Sequence, residues 1–306
     1  TVDNSSVRGN TAGRDGGGFY INDVSVTTVT DSVFEANTAT RSGGGIFNEQ
    51  SASLTVTNST LTDNAAGFAG GGLFNDDGVV TIAESSVALN TSSFDAGGVF
   101  NQSAGQLTVT DTTFSANQAT RDAGAIKNFG TVTLASSSFS MNIAGRDGGA
   151  VQNLSVFNVS DSEFIDNSAS QGGAIQNNDI AVMTVTGTTF DGNISTLRGG
   201  GLHNTGAGRA TFVDSTFNEN AAGTDGGGIY HDSDDFVSIQ RSTFSLNTAM
   251  GNGAGVNNQR IMEVVNSTFS GNAASGVGGG LFNGETLTIT QSTIYQNSAG
   301  GVDTDA

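Results

Sequence analysis

The residues best suited to holding a metal ion lie in one short acidic segment. His231 is followed by Asp232, Ser233, Asp234 and Asp235. Carboxylate oxygens are the ligands that Ca²⁺ prefers in proteins, so Asp232, Asp234 and Asp235 are calcium candidates. The segment occurs once and lacks the periodic glycines of calcium-binding repeats, so the sequence favours a solvated acidic turn. Calcium is the only cofactor considered, and no metal site is assigned.

Residues that could act in catalysis are few. Glycosidases need two carboxylates at a defined separation, and Glu84 and Asp111 fall at equivalent outward positions of adjacent repeats. A solvated acidic pair is the preferred interpretation. His203 and His231 fall in neighbouring repeats, but one is predicted to point outward and the other to lie at a bend, which argues against a zinc site. We therefore assign no catalytic residue and expect the chain not to be an enzyme.

Aromatic side chains form the main candidate surface for a partner. Tyr20, Phe47, Phe74 and Phe100 occupy one outward position in four consecutive repeats. Aromatic faces stack on sugar rings, and a contiguous exposed patch marks an interface. A ladder of rings that stack on each other would produce the same pattern, and the sequence leaves both interpretations open. Surface glycans and proteins of a host or neighbouring cell are the external partners considered.

The charge balance excludes several classes of partner. The chain has 306 residues with 10 basic and 29 acidic side chains, a net charge of -19, and no cysteine. Such a surface repels nucleic acid and anionic membranes. No run of about 18 apolar residues is present, so we expect no direct membrane insertion by this segment. The absence of cysteine excludes disulfides and thiolate metal sites.

The elements that position these residues come from an internal repeat. An apolar anchor, mostly Phe, recurs twelve times at spacings of 25 to 27 residues. Alternation of apolar residues and threonines, as in Leu54 to Thr57, predicts β-strands, and we expect three short strands in each repeat. Units of this size must stack to bury a core. The sequence predicts an all-β fold, a right-handed single-stranded parallel β-helix of about 12 coils forming one domain over residues 1–306.

Asparagine recurs at one position of every repeat. An inward amide at a bend can bond to the coils above and below, so we interpret this column as a structural ladder. The members assigned to the ladder are Asn37, Asn64, Asn90, Asn117, Asn142, Asn167, Asn193, Asn220, Asn247 and Asn272.

Two short motifs resemble those of a known family. GGA(I/V/L) occurs at Gly148 to Val151 and Gly172 to Ile175, and FxxN occurs at Phe34 to Asn37 and in further repeats. The chain resembles the chlamydial polymorphic outer membrane proteins and related bacterial surface β-helix proteins. The resemblance implies a surface-exposed adhesive or structural passenger and names no ligand.

These observations favour a non-enzymatic, extracellular or cell-surface rod with an adhesive or structural role. The alternative is a polysaccharide-binding or polysaccharide-degrading β-helix. Both chain ends fall inside a repeat, and open terminal coils present unpaired strand edges. We expect either that the repeats continue beyond this chain or that subunits associate with each other, end to end into filaments or side by side.

Overall fold

The computed structural model describes residues 1–301, and these form a solenoid of parallel β-strands without a helix. The predicted all-β parallel β-solenoid is confirmed, while its right-handedness stays a prediction. The expectation of three strands per coil was wrong, since the strands stack into four parallel sheets, three of twelve strands and one of eleven. The additional sheet is built from strands of only two residues, such as Thr38–Ala39.

The first sheet contains the longest strands, most of them five residues long. Its strands are Val2–Asp3, Val26–Thr30, Ser53–Thr57, Val79–Ala83, Gln106–Thr110, Thr131–Ala135, Val156–Ser160, Val182–Thr186, Arg209–Val213, Val237–Gln240, Ile261–Val265 and Thr286–Thr290.

The second sheet follows the first bend of each coil. Its strands are Ser6–Arg8, Val33–Glu35, Thr60–Thr62, Ser86–Ala88, Thr113–Ser115, Ser138–Ser140, Glu163–Ile165, Thr189–Asp191, Thr216–Asn218, Thr243–Ser245, Thr268–Ser270 and Thr293–Tyr295. The third sheet follows the second bend and has strands of two residues. They are Thr11–Ala12, Thr38–Ala39, Ala65–Ala66, Thr91–Ser92, Gln118–Ala119, Ile143–Ala144, Ser168–Ala169, Ile194–Ser195, Ala221–Ala222, Thr248–Ala249, Ala273–Ala274 and Ser298–Ala299.

The fourth sheet follows the glycine-rich loop. Its strands are Phe19–Ile21, Ile46–Asn48, Leu73–Asn75, Val99–Asn101, Ile126–Asn128, Val151–Asn153, Ile175–Asn177, Leu202–Asn204, Ile229–His231, Val256–Asn258 and Leu281–Asn283. Equivalent residues of successive coils are paired in all four sheets, for example Phe114 with Phe139. Residues at one position of the repeat therefore form a column along the rod.

The core is a continuous column of apolar side chains from the first, second and fourth sheets. The Phe anchors of the second sheet are completely buried, and from Phe114 to Phe269 their rings stack at centroid separations of 4.5 to 5.0 Å. Each such aromatic pair contributes about 0.5–1.5 kcal/mol beyond the area it buries. The repeat therefore stabilises the rod through contacts between coils.

The predicted asparagine column forms an inward hydrogen-bonded ladder at the second bend. Asn142 Oδ1 accepts hydrogen bonds from the backbone N–H and the Nδ2 group of Asn117, at 3.1 and 3.0 Å. Asn142 Nδ2 donates to the Phe114 carbonyl at 3.0 Å and to Asn167 Oδ1 at 2.9 Å. One amide thus joins three coils. The same set of bonds recurs along the column and pairs polar groups whose burial would otherwise be costly.

The two bends depend on residues with left-handed backbone conformation. The residue before each inward Ser or Asn has a positive φ, such as Asn58 at 46° and Asp63 at 55°. Asn and Asp tolerate this region better than most residues. The glycine loop has a different requirement, because a Cβ at Gly44 would overlap the backbone carbonyl of Ala65. Its glycines let the loop lie against the third sheet of the next coil.

We predict that Asn142→Ala destabilises the rod by roughly 3 kcal/mol, because it leaves several buried backbone and amide groups without partners. The matched control is Asn158→Ala, which removes an outward-facing, exposed Asn from the first sheet and should change stability by less than about 0.5 kcal/mol. Urea unfolding followed by circular dichroism measures both. Equal effects of the two substitutions would contradict the structural role of the ladder.

Candidate functional site

A second, smaller packed layer lies outside the fourth sheet, and we call it the outer seam. In each coil, a residue of the glycine loop faces the middle residue of the fourth-sheet strand five positions later, as Asp122 faces Lys127. The loop residues are themselves aligned between coils, as in the bridges from Ser42 to Ala69 and from Ala69 to Asp95. The successive pairs are Asp15 and Tyr20, Ser42 and Phe47, Ala69 and Phe74, Asp95 and Phe100, Asp122 and Lys127, Asp147 and Gln152, Gln171 and Gln176, Arg198 and His203, Asp225 and Tyr230, Asn252 and Asn257, and Val277 and Phe282.

The aromatic candidates occupy the first part of the outer seam. The sequence placed all four at an exposed position, which was wrong for three of them: Phe47, Phe74 and Phe100 are 3%, 7% and 5% exposed, and Tyr20 is 44% exposed. The loop covers them, because Ala69 and Ala96 belong to the same apolar cluster. The four rings stack at 5.1, 5.1 and 4.8 Å. The four rings therefore form a self-stacking ladder, and of the four only Tyr20 is substantially exposed to solvent.

An ionic network follows the aromatic part. Lys127, the only lysine, is 3% exposed and its Nζ donates to Asp95 Oδ2 at 3.0 Å and to Asp122 Oδ2 at 2.8 Å. Arg121 forms a bidentate pair with Asp95, and Arg146 does the same with Asp122. Burial by itself would raise the pKa of Asp122, but the hydrogen bonds from Arg146 and Lys127 outweigh it and lower that pKa. Asp122 therefore stays ionised at neutral pH.

The next part of the outer seam is built from amides and a histidine. Gln152 Nε2 donates to Asp147 Oδ2 at 3.3 Å, and Gln171 Nε2 donates to Asp147 Oδ1 at 3.4 Å. Burial and the neighbouring charge of Asp122 raise the pKa of Asp147. His203 lies two coils further along, with Nε2 at 3.1 Å from Asp232 Oδ1. This stretch combines a carboxylate, amides and an imidazole in one buried row.

The three calcium candidates point in different directions. Asp232 turns towards the seam, where His203 and Arg198 contact it. Asp234 pairs with Arg260 at 3.0 Å, and Asp235 accepts a hydrogen bond from the backbone N–H of Phe236. Within residues 1–301, no group of three or more His, Cys, Asp or Glu side chains is placed to hold a metal ion. The structure thus does not bring these carboxylates together.

The other candidates of the sequence are dispersed as well. Glu84 and Asp111 occupy left-handed bend positions on adjacent coils, and both are exposed. His231 is completely buried in a second inward ladder, where Asn204 Nδ2 lies 3.2 Å from its Nδ1. Burial lowers the pKa of His231 from 6.5 to about 4, so the ring is neutral at pH 7. His203 and His231 therefore lie on opposite faces of the fourth sheet.

Sequence reasoning missed the residues that build the outer seam. Asp95, Asp122, Lys127, Gln152 and Gln176 have no counterpart among the predicted site residues, although all are buried. The available signal was the constant spacing of five residues between the loop position and the strand position. Alternation in a strand does not reveal this pairing, because the two residues belong to different segments of a coil.

Comparison with protein families identifies the repeat. Residues 31–49, 161–178 and 214–232 match the Chlamydia polymorphic membrane protein repeat. The chain therefore resembles this repeat family. Each matched stretch contains FxxN and GGG or GGA, and runs from the first bend to the fourth sheet. The resemblance predicted from these motifs is confirmed. Comparisons with curated proteins and with solved structures found no match.

No helix in the described part of the chain is long and apolar enough to cross a membrane.

We predict that Lys127→Met lowers the free energy of unfolding by about 3 kcal/mol at pH 7, because two buried carboxylates lose a shared cation. The lowered pKa of Asp122 means that its contribution is present at neutral pH and is lost as the pH falls below about 4. The difference between variant and wild type should therefore shrink at pH 3. Arg209→Met, an exposed position, is the control, and an equal loss there would contradict the prediction.

We also predict that His231 makes the protein sensitive to mild acid. The pKa of His231 is depressed in the folded state. The contribution of the neutral ring to the free energy of unfolding is therefore fully present above pH 6.5 and is lost as the pH falls towards about 4. The loss amounts to roughly 3 kcal/mol for a shift of this size. His231→Asn restores the residue found at this ladder position in neighbouring coils and should reduce the loss. Urea unfolding at pH 7 and pH 4.5 compares the two proteins. Identical pH profiles would show that His231 is not responsible for the loss of stability in acid.

Proposed function

We propose that the chain is a non-enzymatic rod exposed at a bacterial cell surface or outside the cell, where it has an adhesive or structural role. The observation that carries the proposal is the match of three stretches to a membrane-protein repeat, on coils that form one continuous solenoid. The matched stretches lie along the rod from residue 31 to residue 232. Because the matched stretches are distributed along most of the described solenoid, the proposal concerns the rod as a whole and not one coil.

The surface of the rod also supports a non-enzymatic role. A depression of about 670 Å³ over the third sheet is lined by Ile194, Ala222, Met250 and neighbouring Ser, Thr, Ala and Gly residues, without a titratable side chain. A general acid or base is needed for glycan hydrolysis or elimination. A second depression, of about 450 Å³, is lined by Asp111, Asp161 and Glu163, and all three carboxylates are exposed to solvent, as is Glu84. The proposal therefore places the function of the rod in binding and spacing.

The proposal includes association of the rod with further coils of the same kind. In residues 1–301 the strands of the first and last coils have a paired neighbour on one side only. Open strand edges pair readily with another chain. Association of this type would bury the open edges of strands such as Val2–Asp3 and Thr286–Thr290, and it would extend all four sheets together.

Three measurements test the proposal. Antibodies raised against the purified chain should label intact cells of the source organism, and brief protease treatment should remove the label. Labelling only after permeabilisation would contradict a surface role. Light scattering and negative-stain imaging over a concentration series should show rods longer than one subunit if coils associate end to end; a monomer at all concentrations would remove self-association from the proposal. Release of reducing or unsaturated sugars from a glycan panel would overturn the non-enzymatic role.

A further inference from the structure

The outward side of the first sheet contains a large surface without charge. On the seven consecutive strands from Val26–Thr30 to Val182–Thr186, the first, third and fifth residues point outward. None of these outward residues is charged, although the chain has a net charge of -19. Most of them are threonine, and the others are small, aliphatic or amide residues. We call this surface the threonine face.

The absence of charge on the threonine face is not a requirement of the fold. Further along the same sheet, outward positions are occupied by Arg209 and Glu263. The second sheet, which follows the first bend of the same coils, has Glu35 and Glu163 at outward positions. Threonine is favoured in strands generally. Strand propensity therefore explains why threonine is frequent, but it does not explain why charge is excluded over seven coils.

The middle of the threonine face is an uninterrupted row of one residue type. The row consists of Thr28, Thr55, Thr81, Thr108 and Thr133. Equivalent residues pair directly, as Thr55 does with Thr81 and Thr81 with Thr108. Thr112 at the first bend donates its hydroxyl to the Thr110 carbonyl at 2.7 Å, whereas the hydroxyls of the row have no protein partner within residues 1–301. These hydroxyls are therefore available to water.

The spacing of the threonine face resembles the spacing of oxygens in ice. Adjacent strands are about 4.8 Å apart, and the outward Thr28 and Thr30 of one strand are about 6.6 Å apart. In a tetrahedral lattice with O···O separations of about 2.75 Å, second-neighbour oxygens lie about 4.5 Å apart and layers repeat after about 7.3 Å. The rings of Phe47 and Phe74 are inclined by only 2°, so their coils stack without tilt. Over the five coils of the row the offset accumulates to about 1.2 Å, less than half of one O···O separation.

Threonine supplies the chemical properties that contact with ice requires. Its methyl group restricts the orientation of the first layer of water, and its hydroxyl anchors that water by donating one hydrogen bond and accepting two. Branching at Cβ restricts rotation about χ1, so the array is stiff. A charged group would resist the loss of its own hydration when a plane of ice grew against it. The composition of the threonine face therefore suits ordered water.

We propose that the threonine face binds ice, with the row from Thr28 to Thr133 at the centre of the contact. Ice cannot grow where a rod is fixed to its surface, and between bound rods the surface must curve. This curvature lowers the freezing point below the melting point. The activity is independent of the proposed role at a cell surface, because it requires only the purified rod.

Thermal hysteresis, the gap between the melting and freezing points of a single ice crystal, tests the proposal with the purified full chain. We expect hysteresis that rises with protein concentration, and Thr108→Glu should abolish it. The rod accommodates a glutamate in this column, as Glu263 shows. The matched control is Thr113→Glu, which adds the same charge at an exposed position of the second sheet in the same coil. Glu163 occupies that column, so the control should retain the hysteresis of the wild type.

Uptake into slowly growing ice measures binding directly. The wild type and Thr113→Glu should enter the ice, and Thr108→Glu should remain in the liquid. Absence of hysteresis in the folded wild type, or equal hysteresis in the two variants, would overturn the proposal. Retention on powdered cellulose or chitin without uptake into ice would assign the face to a crystalline polysaccharide and would also overturn it. A dimer of the wild type that Thr108→Glu dissociates, without uptake into ice, would do the same in favour of a second copy of the chain. Circular dichroism establishes that each variant is folded.

Discussion

The structure depends on one constraint, the in-register stacking of every coil on the next. Parallel pairing in four sheets satisfies the backbone within strands, but the bends between strands leave backbone groups that no strand can pair. The inward asparagine meets this need, because Asn142 joins its own coil to the carbonyl of Phe114 and to the amide of Asn167. The serine at the first bend acts similarly, since Ser59 Oγ accepts from the Ser32 N–H and donates to the Thr57 carbonyl. Length variation is consequently confined to the loops.

The same constraint explains why the outer seam exists. Its side chains point away from the core, yet the glycine loop of the same coil folds over them, which is why Phe74 and Lys127 are both buried. Register brings like positions together, so each part of the seam must be compatible with its neighbours along the rod. Rings stack on rings, and the ammonium of Lys127 lies between carboxylates of two coils. Replacing a whole buried charge network of this kind by apolar residues of the same volume is often neutral for stability, whereas removing one partner leaves buried charges uncompensated and is strongly destabilising.

Much of the fold could be predicted from the sequence because its signals are local and repeated. The alternation around Leu54 and the spacing of Phe114 and Phe139 predict strands and coils, and the pairing of Val2 with Val29 follows the predicted alignment. The third sheet was missed as a separate element because its strands have only two residues, as in Thr38–Ala39, which is too short to show an alternation. The burial of Phe47 was missed for a related reason. An outward position on a strand is exposed only if nothing covers it, and the covering loop residue lies five positions earlier without a hydrophobic signal, as Ser42 does.

The matched repeat segments separate what the fold requires from what it leaves free. They begin at the first bend and end with the fourth-sheet strand, and they share the FxxN and glycine motifs. These motifs supply the core anchor, the ladder amide and the close approach of the loop, all of which stacking demands. The strands of the first sheet and the members of the outer seam vary from coil to coil, from Phe74 through Lys127 and Gln176 to His203. Stacking alone does not require these particular residues, so the residues that are individual to this chain lie in the outward columns. Along the outer seam they change from aromatic rings to charged groups and then to amides.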